Sequence, residues 1–414
     1  MSIFTNKHIL LGITGSIAAY KAADLASKLT QAGAQVDVIL TPAAEKFVTP
    51  LTFQSVTGRK AFTDADLWGG EAHVLHVGLG HSADLLVVAP ATANTIAKLA
   101  HGIADNLLTI TALAACGERS RTTRCPLLIA PAMDVGMYEH AATQDNLRIL
   151  GERGAAFAGP AEGRMASGLT GKGRFLEPAE LLGHIRLLLG KNGSLAGRKI
   201  VVTAGGTQEP LDPVRVLTNK SSGKQGYALA QAALDAGATV VLVTTPTALT
   251  PPVGARVVSV TTAQEMLEAV LAESAGADAL IMAAAVADFR PKHVAGDKLK
   301  KRDGIPQVEL EATSDILSAV SAAPFGAGAG LGSRRPRRVI GFAAESRNLL
   351  ENAQSKLKAK NLDMIVANSV SALGADVNQV TLLYASGEKE SLPQMSKDEV
   401  AETIIEHMTA LLEN

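Results

Sequence analysis

Along most of this chain, short unbroken apolar runs alternate with longer stretches whose apolar positions recur at helical spacing, predicting strands alternating with helices. His8–Ile13 reads as a first strand, Ala18–Gln31 as a helix closed by Gly33, and Gln35–Thr41 as a second strand. Leu85–Ala89 and Leu127–Ala130 continue the series as strands, and Glu180–Leu189 as a helix. The alternation then restarts, with strands predicted at Lys199–Thr203, Thr239–Thr244, Arg256–Ser259, Ala279–Ala283, Val339–Ala343 and Met364–Ala367. Helices are predicted at Tyr227–Ala236, Ala263–Ser274 and Leu349–Lys360. Val380–Tyr384, followed by Ser386-Gly387, predicts a late hairpin, and Lys397–Leu412 a closing helix. Near-continuous apolar strands with helical crossovers imply parallel sheets covered on both faces. Two doubly wound α/β domains are expected, at residues 1–189 and 197–414, with a short flexible linker at 190–196.

The breaks in this pattern carry the candidate chemistry. Thr203–Gly226, TAGGTQEPLDPVRVLTNKSSGKQG, separates a buried strand from a helix by a long glycine-bearing loop. Such a loop at a helix N-terminus offers backbone N–H groups to phosphate, although no G-x-x-x-x-G-K-[ST] can be written in it. Gly12-Ile13-Thr14-Gly15-Ser16 makes a smaller turn of the same kind. A dinucleotide fingerprint would need a third glycine and an acidic residue closing the second strand. That strand instead ends in Thr41-Pro42, with Asp37 in its middle, so a mononucleotide is favoured and a plain helix cap stays open. Gly159–Arg174 is rich in glycine and charge and is expected to be a mobile loop or flap. Ser321–Arg338 is of low complexity and is expected to be disordered, its arginines forming a solvated loop rather than a nucleic-acid patch.

Composition narrows the class. Of 414 residues, 47% are hydrophobic but only 3% aromatic, so the cores must be built from Ala, Val, Leu and Ile. A formal net charge of -1 gives no reason to expect nucleic acid or an anionic membrane as partner. Cys116 and Cys125 are too few for a disulfide framework, which fits a reducing cytoplasm. No signal-peptide layout and no apolar run near the ~20 residues of a membrane helix are found. A soluble cytoplasmic protein is the expectation.

The motifs PLDPVR…TNKSSGKQG, AAAVADF, KLKK and GFAAES follow one another in this order in the second half. GITGSIAAYK, a histidine before ADLLVVAPATANT, and PAM stand in the first. Together they resemble, over nearly the whole chain, the bacterial bifunctional family that fuses phosphopantothenoylcysteine decarboxylase to phosphopantothenate–cysteine ligase in coenzyme A biosynthesis. The resemblance implies a flavodoxin-like flavoprotein domain followed by a Rossmann-like ligase domain. It implies CTP-dependent ligation of cysteine to 4′-phosphopantothenate through an acyl-cytidylate, then FMN-dependent decarboxylation to 4′-phosphopantetheine. FMN is expected on Gly15, Ser16, Ile17, Thr41, Thr92, Ala93, Asn94, Thr95 and Ala132, with His76 as the catalytic histidine, placed by its spacing to Asp84. In the ligase half Asn219 would act on the acyl-cytidylate and Lys298 on the reacting acyl or phosphate oxygens. Met282, Ala283, Ala284, Asp288, Ser314, Asp315, Ile316, Leu317, Phe342, Lys356 and Lys360 would contact the nucleotide, Lys356 and Lys360 from one helix face. Mg²⁺ is expected with CTP, on ligands the motifs do not name. The family also implies homo-oligomers, dimers of ligase halves and trimers of decarboxylase halves.

Two positions depart from the family's pattern. Its Pro-Ala-Met-Asn, whose amide meets the substrate carboxylate, is here Pro-Ala-Met-Asp at Asp134, and its flap cysteine is here Ser167. These changes motivate a second reading, a ligase with a non-catalytic flavin-binding regulatory half. A two-domain NAD(P) oxidoreductase is the third. Without the family, His73 and His76 at i,i+3 could bind a metal or be ordinary solvated or packing histidines. Likewise Lys298–Arg302 would be a charged loop, and Lys356 and Lys360 an exposed helix face.

Overall fold

The computed structural model describes residues 2–68, 74–117, 125–301, 304–323, 335–345, 347–369 and 377–413. Its chain divides into two compact units, Met1–Leu189 and Gly190–Asn414.

The first unit begins with β1 (His8–Ile13), α1 (Ala19–Gln31), β2 (Gln35–Leu40), α2 (Pro50–Thr57), β3 (Ala61–Phe62) and α3 (Leu75–Ser82). It continues with β4 (Leu85–Ala91), α4 (Ala93–His101), α5 (Leu107–Cys116), β5 (Leu127–Pro131), α6 (Val135–Glu139), α7 (Ala141–Glu152) and β6 (Ala156–Phe157). A hairpin of β7 (Ala161–Arg164) and β8 (Thr170–Arg174) and the helix α8 (Pro178–Gly190) complete it. The sheet is parallel with order β3-β2-β1-β4-β5-β6. Leaving out the two-residue β3, this is the flavodoxin order 2-1-3-4-5, whose ligand crevice opens between the ends of β1 and β4. One core cluster packs α1 and α8 on one face; the other packs α4 and α5 on the opposite face. The segment expected as a mobile flap is this antiparallel β7–β8 hairpin; its glycine-rich, exposed strands lack the apolar alternation that marks a strand.

In the second unit β9 (Lys199–Ala204) leads through a small hairpin, β10 (Gln208–Pro210) and β11 (Val216–Thr218), into α9 (Lys224–Asp235). β12 (Thr239–Thr244), β13 (Arg256–Ser259), α10 (Ala263–Ser274) and β14 (Ala279–Met282) follow. A second small pair, β15 (Phe289–Pro291) and β16 (Leu310–Ala312), precedes α11 (Ile316–Ala322), β17 (Arg338–Glu345), α12 (Leu349–Ala359) and β18 (Met364–Ser369). The last elements are β19 (Val377–Asn378), β20 (Val380–Tyr384), β21 (Lys389–Ser391), β22 (Met395–Ser396) and α13 (Lys397–Glu413). The large sheet runs β13-β12-β9-β14-β17-β18-β20-β21. Its six parallel strands follow the Rossmann order, with the switch point between β9 and β14. β20 and β21 add an antiparallel edge, the expected late hairpin. Of the expected disordered tract 321–338, residues 324–334 lie outside the described residues. Its ends are ordered, Ser321 closing α11 and Arg338 opening β17.

Residues 190–196, expected as a flexible linker, are tied to the second unit. The Leu195 N–H donates to the Ala236 carbonyl (2.7 Å), and the Leu195 side chain is fully buried. At Gly193 a Cβ would collide with the Ala236 backbone, so this glycine serves close packing rather than freedom.

Asp37, in the middle of buried β2, is 5% exposed and is held by an ion cluster. His8 Nε2 lies 2.5 Å from its Oδ2, and Arg59 donates to both oxygens at 2.6 and 3.0 Å. Burial pushes the Asp37 carboxyl up, but the hydrogen bonds and charges of His8 and Arg59 outweigh it and hold the group below its ordinary value. A depressed carboxyl stabilises the fold above its unfolded pKa of about 3.9, and that contribution disappears as pH falls through the folded value. Asp37→Asn is therefore expected to cost about 1–3 kcal/mol at pH 7, with the gap to the parent protein narrowing towards pH 3. Thermal melts of both proteins at the two pH values check this; a gap independent of pH would contradict it.

Candidate functional sites

In the first unit the loops that leave β1, β2, β4 and β5 meet at the carboxyl edge of the sheet. Thr14, 1% exposed, stitches two of them: its hydroxyl donates to the Pro90 carbonyl (2.7 Å) and accepts the Thr92 N–H (3.0 Å). Gly15 approaches the turn after β2 so closely that a Cβ would lie 2.5 Å from that of Ala43. Thr41 N–H donates to Ile13 (3.0 Å), and Ala132 N–H to Ala91 (3.0 Å). The Ser16 hydroxyl accepts the Ala18 N–H (3.3 Å) at the start of α1. Thr92 caps α4 by accepting the Thr95 N–H (3.4 Å), which leaves the N–H groups of Ala93 and Asn94 directed out of the helix start. Gly15, Ser16, Ile17, Thr41, Thr92–Thr95 and Ala132 thus lie along one crevice. Its donors are backbone amides, hydroxyls and the Asn94 amide, with no acidic side chain among them, beside Ile17 standing 62% exposed. Neutral donors at a helix start next to an exposed apolar side chain fit a phosphate-bearing aromatic ring.

His76 lies in the first turn of α3, half-buried, and hydrogen-bonds none of the described residues. Because α3 descends to the start of β4, its N-terminal turn faces the carboxyl edge that carries Thr92. His73, its possible metal partner, lies outside the described residues. Among those described, no three His, Cys, Asp or Glu side chains converge as a metal site.

The structure joins the two positions that depart from the family pattern. Asp134 caps α6, its Oδ1 accepting the Gly136 N–H (3.0 Å), while its Oδ2 accepts the Ser167 hydroxyl at 2.5 Å. Ser167 sits in the turn between β7 and β8, and the hairpin docks on this corner through Met133 N–H to the Gly173 carbonyl (3.0 Å). A Cβ at Gly173 would collide with the Met133 carbonyl, and one at Gly171 would lie 2.8 Å from the Val135 side chain. At Gly173 glycine is needed because backbone meets backbone.

In the second unit the loop from Thr203 to Gly226 closes over the end of β14. The Thr203 hydroxyl accepts the Ala284 N–H (3.1 Å), Ala285 N–H donates to Gly205 (2.8 Å), and Ala287 N–H donates to the Thr207 hydroxyl (2.9 Å). Asn219 Nδ2 donates to the Val286 and Ala285 carbonyls at 3.0 and 3.4 Å. Gly223, at φ +76°, turns the chain into α9, and Gly226 lets that helix approach β9: a Cβ there would lie 2.6 Å from Ala204.

Beside this junction is a cavity of about 480 Å³. Met282, Ala283, Ala284, Asp288, Ser314, Asp315, Ile316, Leu317, Phe342 and Lys356 all line it. Asn219 is bonded to its wall without lining it, and Lys360 and Lys298 stand outside it. The two helix lysines do not present ammonium groups together. Lys356 donates to the Phe342 carbonyl (2.9 Å), whereas Lys360 pairs with Asp315 (2.5 Å) and Ser318 (2.9 Å). Burial pushes the Asp315 carboxyl up, but Lys360 and the Ser318 N–H hold it below its usual value. The turn into α9, Ala285–Ala287, Thr313, Ala343 and Ala344 also line it, as do Asn368, Asn378 and Lys397. Sequence reasoning missed the last three, which lie far along the chain in no local motif.

Lys298 is exposed, but its loop is anchored. Asp212, 2% exposed, accepts the N–H groups of Val214 (2.8 Å), Arg215 (2.8 Å) and Leu299 (3.1 Å). Arg215 donates in turn to the Leu299 carbonyl, and Ala295 N–H to Leu211 (3.1 Å). Burial raises the Asp212 carboxyl; the three N–H donors and the Arg215 charge outweigh it and keep it low. The PLDPVR turn is therefore a clamp on the loop that carries Lys298.

The comparisons with known proteins agree with the two-unit division. Residues 3–190 match the Flavoprotein family model, and residues 195–412 match the DNA/pantothenate metabolism flavoprotein C-terminal domain. The coenzyme A biosynthesis bifunctional protein CoaBC of Bacillus subtilis is 44% identical over 417 residues, covering 99% of this chain and 98% of that protein. Its Vibrio parahaemolyticus counterpart is 42% identical over 418 residues, covering 100% of both. Among solved structures, the C-terminal domain of a CoaBC protein shares 41% identity over 53% of this chain and 98% of its own, with a TM-score of 0.45.

Proposed function

The chain belongs to the family of coenzyme A biosynthesis bifunctional proteins, and we propose that its second unit ligates cysteine to 4′-phosphopantothenate with CTP while its first, holding FMN, decarboxylates the product. Neither the relatives nor the strand ends favour an NAD(P) oxidoreductase, since β2 closes on Thr41-Pro42 without an acidic residue. The observation that carries the reading is the meeting of Thr203–Gly226 with Met282–Asp288 at the β9/β14 switch point, beside the cavity.

A carboxylate resists attack by an amine until it becomes part of a good leaving group. CTP supplies that group as cytidylate, with Met282–Ala284 and Asp288 on the cytidine and Ser314–Leu317, Phe342 and Lys356 around the nucleotide. Lys360 serves the same turn indirectly, by fixing Asp315, the residue that caps α11. Asn219, its amide nitrogen spent on the β14 loop, turns its other face to the acyl-cytidylate. Lys298 stabilises the charge that develops on the reacting oxygens. Mg²⁺ would be held chiefly by the substrate phosphates, with one or two carboxylates, and would offset the charge of the triphosphate. Dimers of the second unit and trimers of the first belong to the same reading; the exposed Val214, Val216, Leu217 and Phe289 give the second an apolar surface to pair.

In the first unit Gly15, Ser16, Ile17, Thr41, Thr92–Thr95 and Ala132 would hold FMN. When bound, it would take two electrons from the cysteine end, making an electron sink for loss of carbon dioxide, and return them to the decarboxylated product, so that no external oxidant is consumed. His76 takes the thiol proton. Asp134 stands where the family's amide meets the substrate carboxylate, and Ser167, bonded to it, where the family's flap cysteine serves the reductive half of the cycle. With Oδ1 and Oδ2 both accepting hydrogen bonds, Asp134 offers the carboxylate charge rather than a donor. Asp134→Asn is expected to raise kcat/KM for decarboxylation about tenfold by removing like-charge repulsion at short range. Steady-state carbon dioxide release measures it, and a fall in rate would assign the carboxylate a positive role.

Flavin absorbance in the purified protein tests the first-unit reading. The bifunctional relatives do not support the alternative, a non-catalytic flavin-binding half beside a working ligase. Ligation without any carbon dioxide release from phosphopantothenoylcysteine would establish it.

A further inference from the structure

The backbone ladder between β1 and β4 ends at Gly12 opposite Val88, and the ladder between β4 and β5 shifts register between Val88 and Ala91. Strand pairing with β1 therefore stops before the turn that opens α4, where the crevice donors begin. Thr14 takes over at this point. Its hydroxyl donates to the Pro90 carbonyl (2.7 Å) and accepts the Thr92 N–H (3.0 Å), one bond on each side of Ala91. Ala91 in turn accepts the Ala132 N–H (3.0 Å), so one hydroxyl ties together the exits of three strands. At 1% exposure Thr14 is closed off from any ligand, and it acts on one only through Thr92. The second unit repeats the arrangement. Its β9–β14 ladder ends at Thr203 opposite Met282, and the Thr203 hydroxyl accepts the Ala284 N–H at 3.1 Å. A buried threonine thus stands at both switch points, where the central ladder stops.

We propose that Thr14 is the positioning residue of the flavin site. Its hydroxyl sets Thr92, Thr92 caps α4, and the cap fixes the direction in which the Ala93 and Asn94 N–H groups leave the helix. The inference rests on the reading above that FMN occupies the β1/β4 crevice. Donors already held in place bind a ligand without the loss of freedom that ordering them would cost. Valine keeps the shape of threonine and removes the hydroxyl. Thr14→Val therefore leaves the packing intact, while the buried Pro90 carbonyl and the Thr92 N–H both lose their partner. The start of α4 then has no side-chain bond to β1, and its donors lose their fixed aim.

The test measures the Kd of FMN for the full chain by flavin fluorescence, which reads binding without turnover. Thr14→Val should bind FMN about tenfold more weakly, and Thr14→Ser, which restores the hydroxyl, should return to the parent value. Thr111→Val is the control. Thr111 is equally buried in the same unit, but its hydroxyl bonds the Leu107 carbonyl of its own helix (2.6 Å), so its loss should leave FMN affinity unchanged. Should Thr14→Val fail to fold, Thr14→Ala removes the same hydroxyl with less bulk and decides in its place. Parent affinity in the variant lacking the hydroxyl would overturn the proposal. Equal weakening by Thr111→Val, or no recovery with serine, would reduce Thr14 to general packing and overturn it too. Asn94→Asp separates this from failure of the flavin reading, because it places a negative charge among the neutral donors. If Asn94→Asp weakens FMN binding and Thr14→Val does not, the positioning role alone falls. If neither changes the affinity, FMN lies elsewhere and both fall.

Discussion

Replacing Lys298 with alanine is expected to cut CTP-dependent ligation by about 10²–10³-fold, the loss typical of removing one preorganised group that meets developing charge. Melting temperature should be unchanged, because Lys298 is exposed and the bonds that hold its loop come from backbone atoms of Leu299 and Ala295. Lys300→Ala is the control, since Lys300 shares the loop and its exposure but not the motif position. Equal losses in both variants would return the segment to the solvated charged loop that its composition suggests. Unchanged turnover in Lys298→Ala would remove the role altogether. The clamp explains how an exposed lysine can act with precision. Asp212 is buried and holds three N–H groups, so the PLDPVR turn fixes the backbone beside Lys298 while leaving the side chain free to reach substrate.

His76→Asn should lower carbon dioxide release by about 10²–10⁴-fold, the range for a positioned acid–base group. The flavin spectrum should be retained, since His76 lies on α3 and not among the residues of the β1/β4 crevice. Asparagine keeps the polarity and most of the volume but cannot take a proton at neutral pH. Stopped assays on phosphopantothenoylcysteine decide the matter, with ligation by the second unit as an internal control. Full decarboxylation with asparagine at this position would send the proton elsewhere.

The parallel strands were legible in the sequence because burial on both faces leaves an uninterrupted apolar run. Thr239–Thr244 and Arg256–Ser259 are strands over the very residues their runs delimit. Small hairpins were not legible: β7 and β8 are glycine-rich and largely exposed, and β10 and β11 are only three residues each, too short for an alternation to mark them. α9 starts at Lys224, earlier than its apolar pattern, because the left-handed Gly223 sets the helix start by geometry rather than by hydrophobicity. Asp37, which in sequence only argued against a dinucleotide, turns out to be the anchor of His8 and Arg59.

The site divides in the same way. Thr203–Gly226 and Met282–Asp288 could be paired in advance because each ends a strand of one sheet, and adjacent strand ends share a crevice. No local rule brings Asn378 or Lys397 to that crevice. Their approach depends on the antiparallel β18–β20 edge, which returns the chain after the parallel series is complete. Nor could the sequence show that Asp134 and Ser167 touch; only the docked hairpin brings them together. That contact changes the meaning of both departures, from separate losses to one paired substitution.

The most direct measurement is mass spectrometry of the products formed by the purified protein from 4′-phosphopantothenate, cysteine and CTP. The account predicts a CTP-dependent amide of the two substrates, followed by a species lighter by one carbon dioxide. Unchanged substrate masses in the presence of CTP would contradict it.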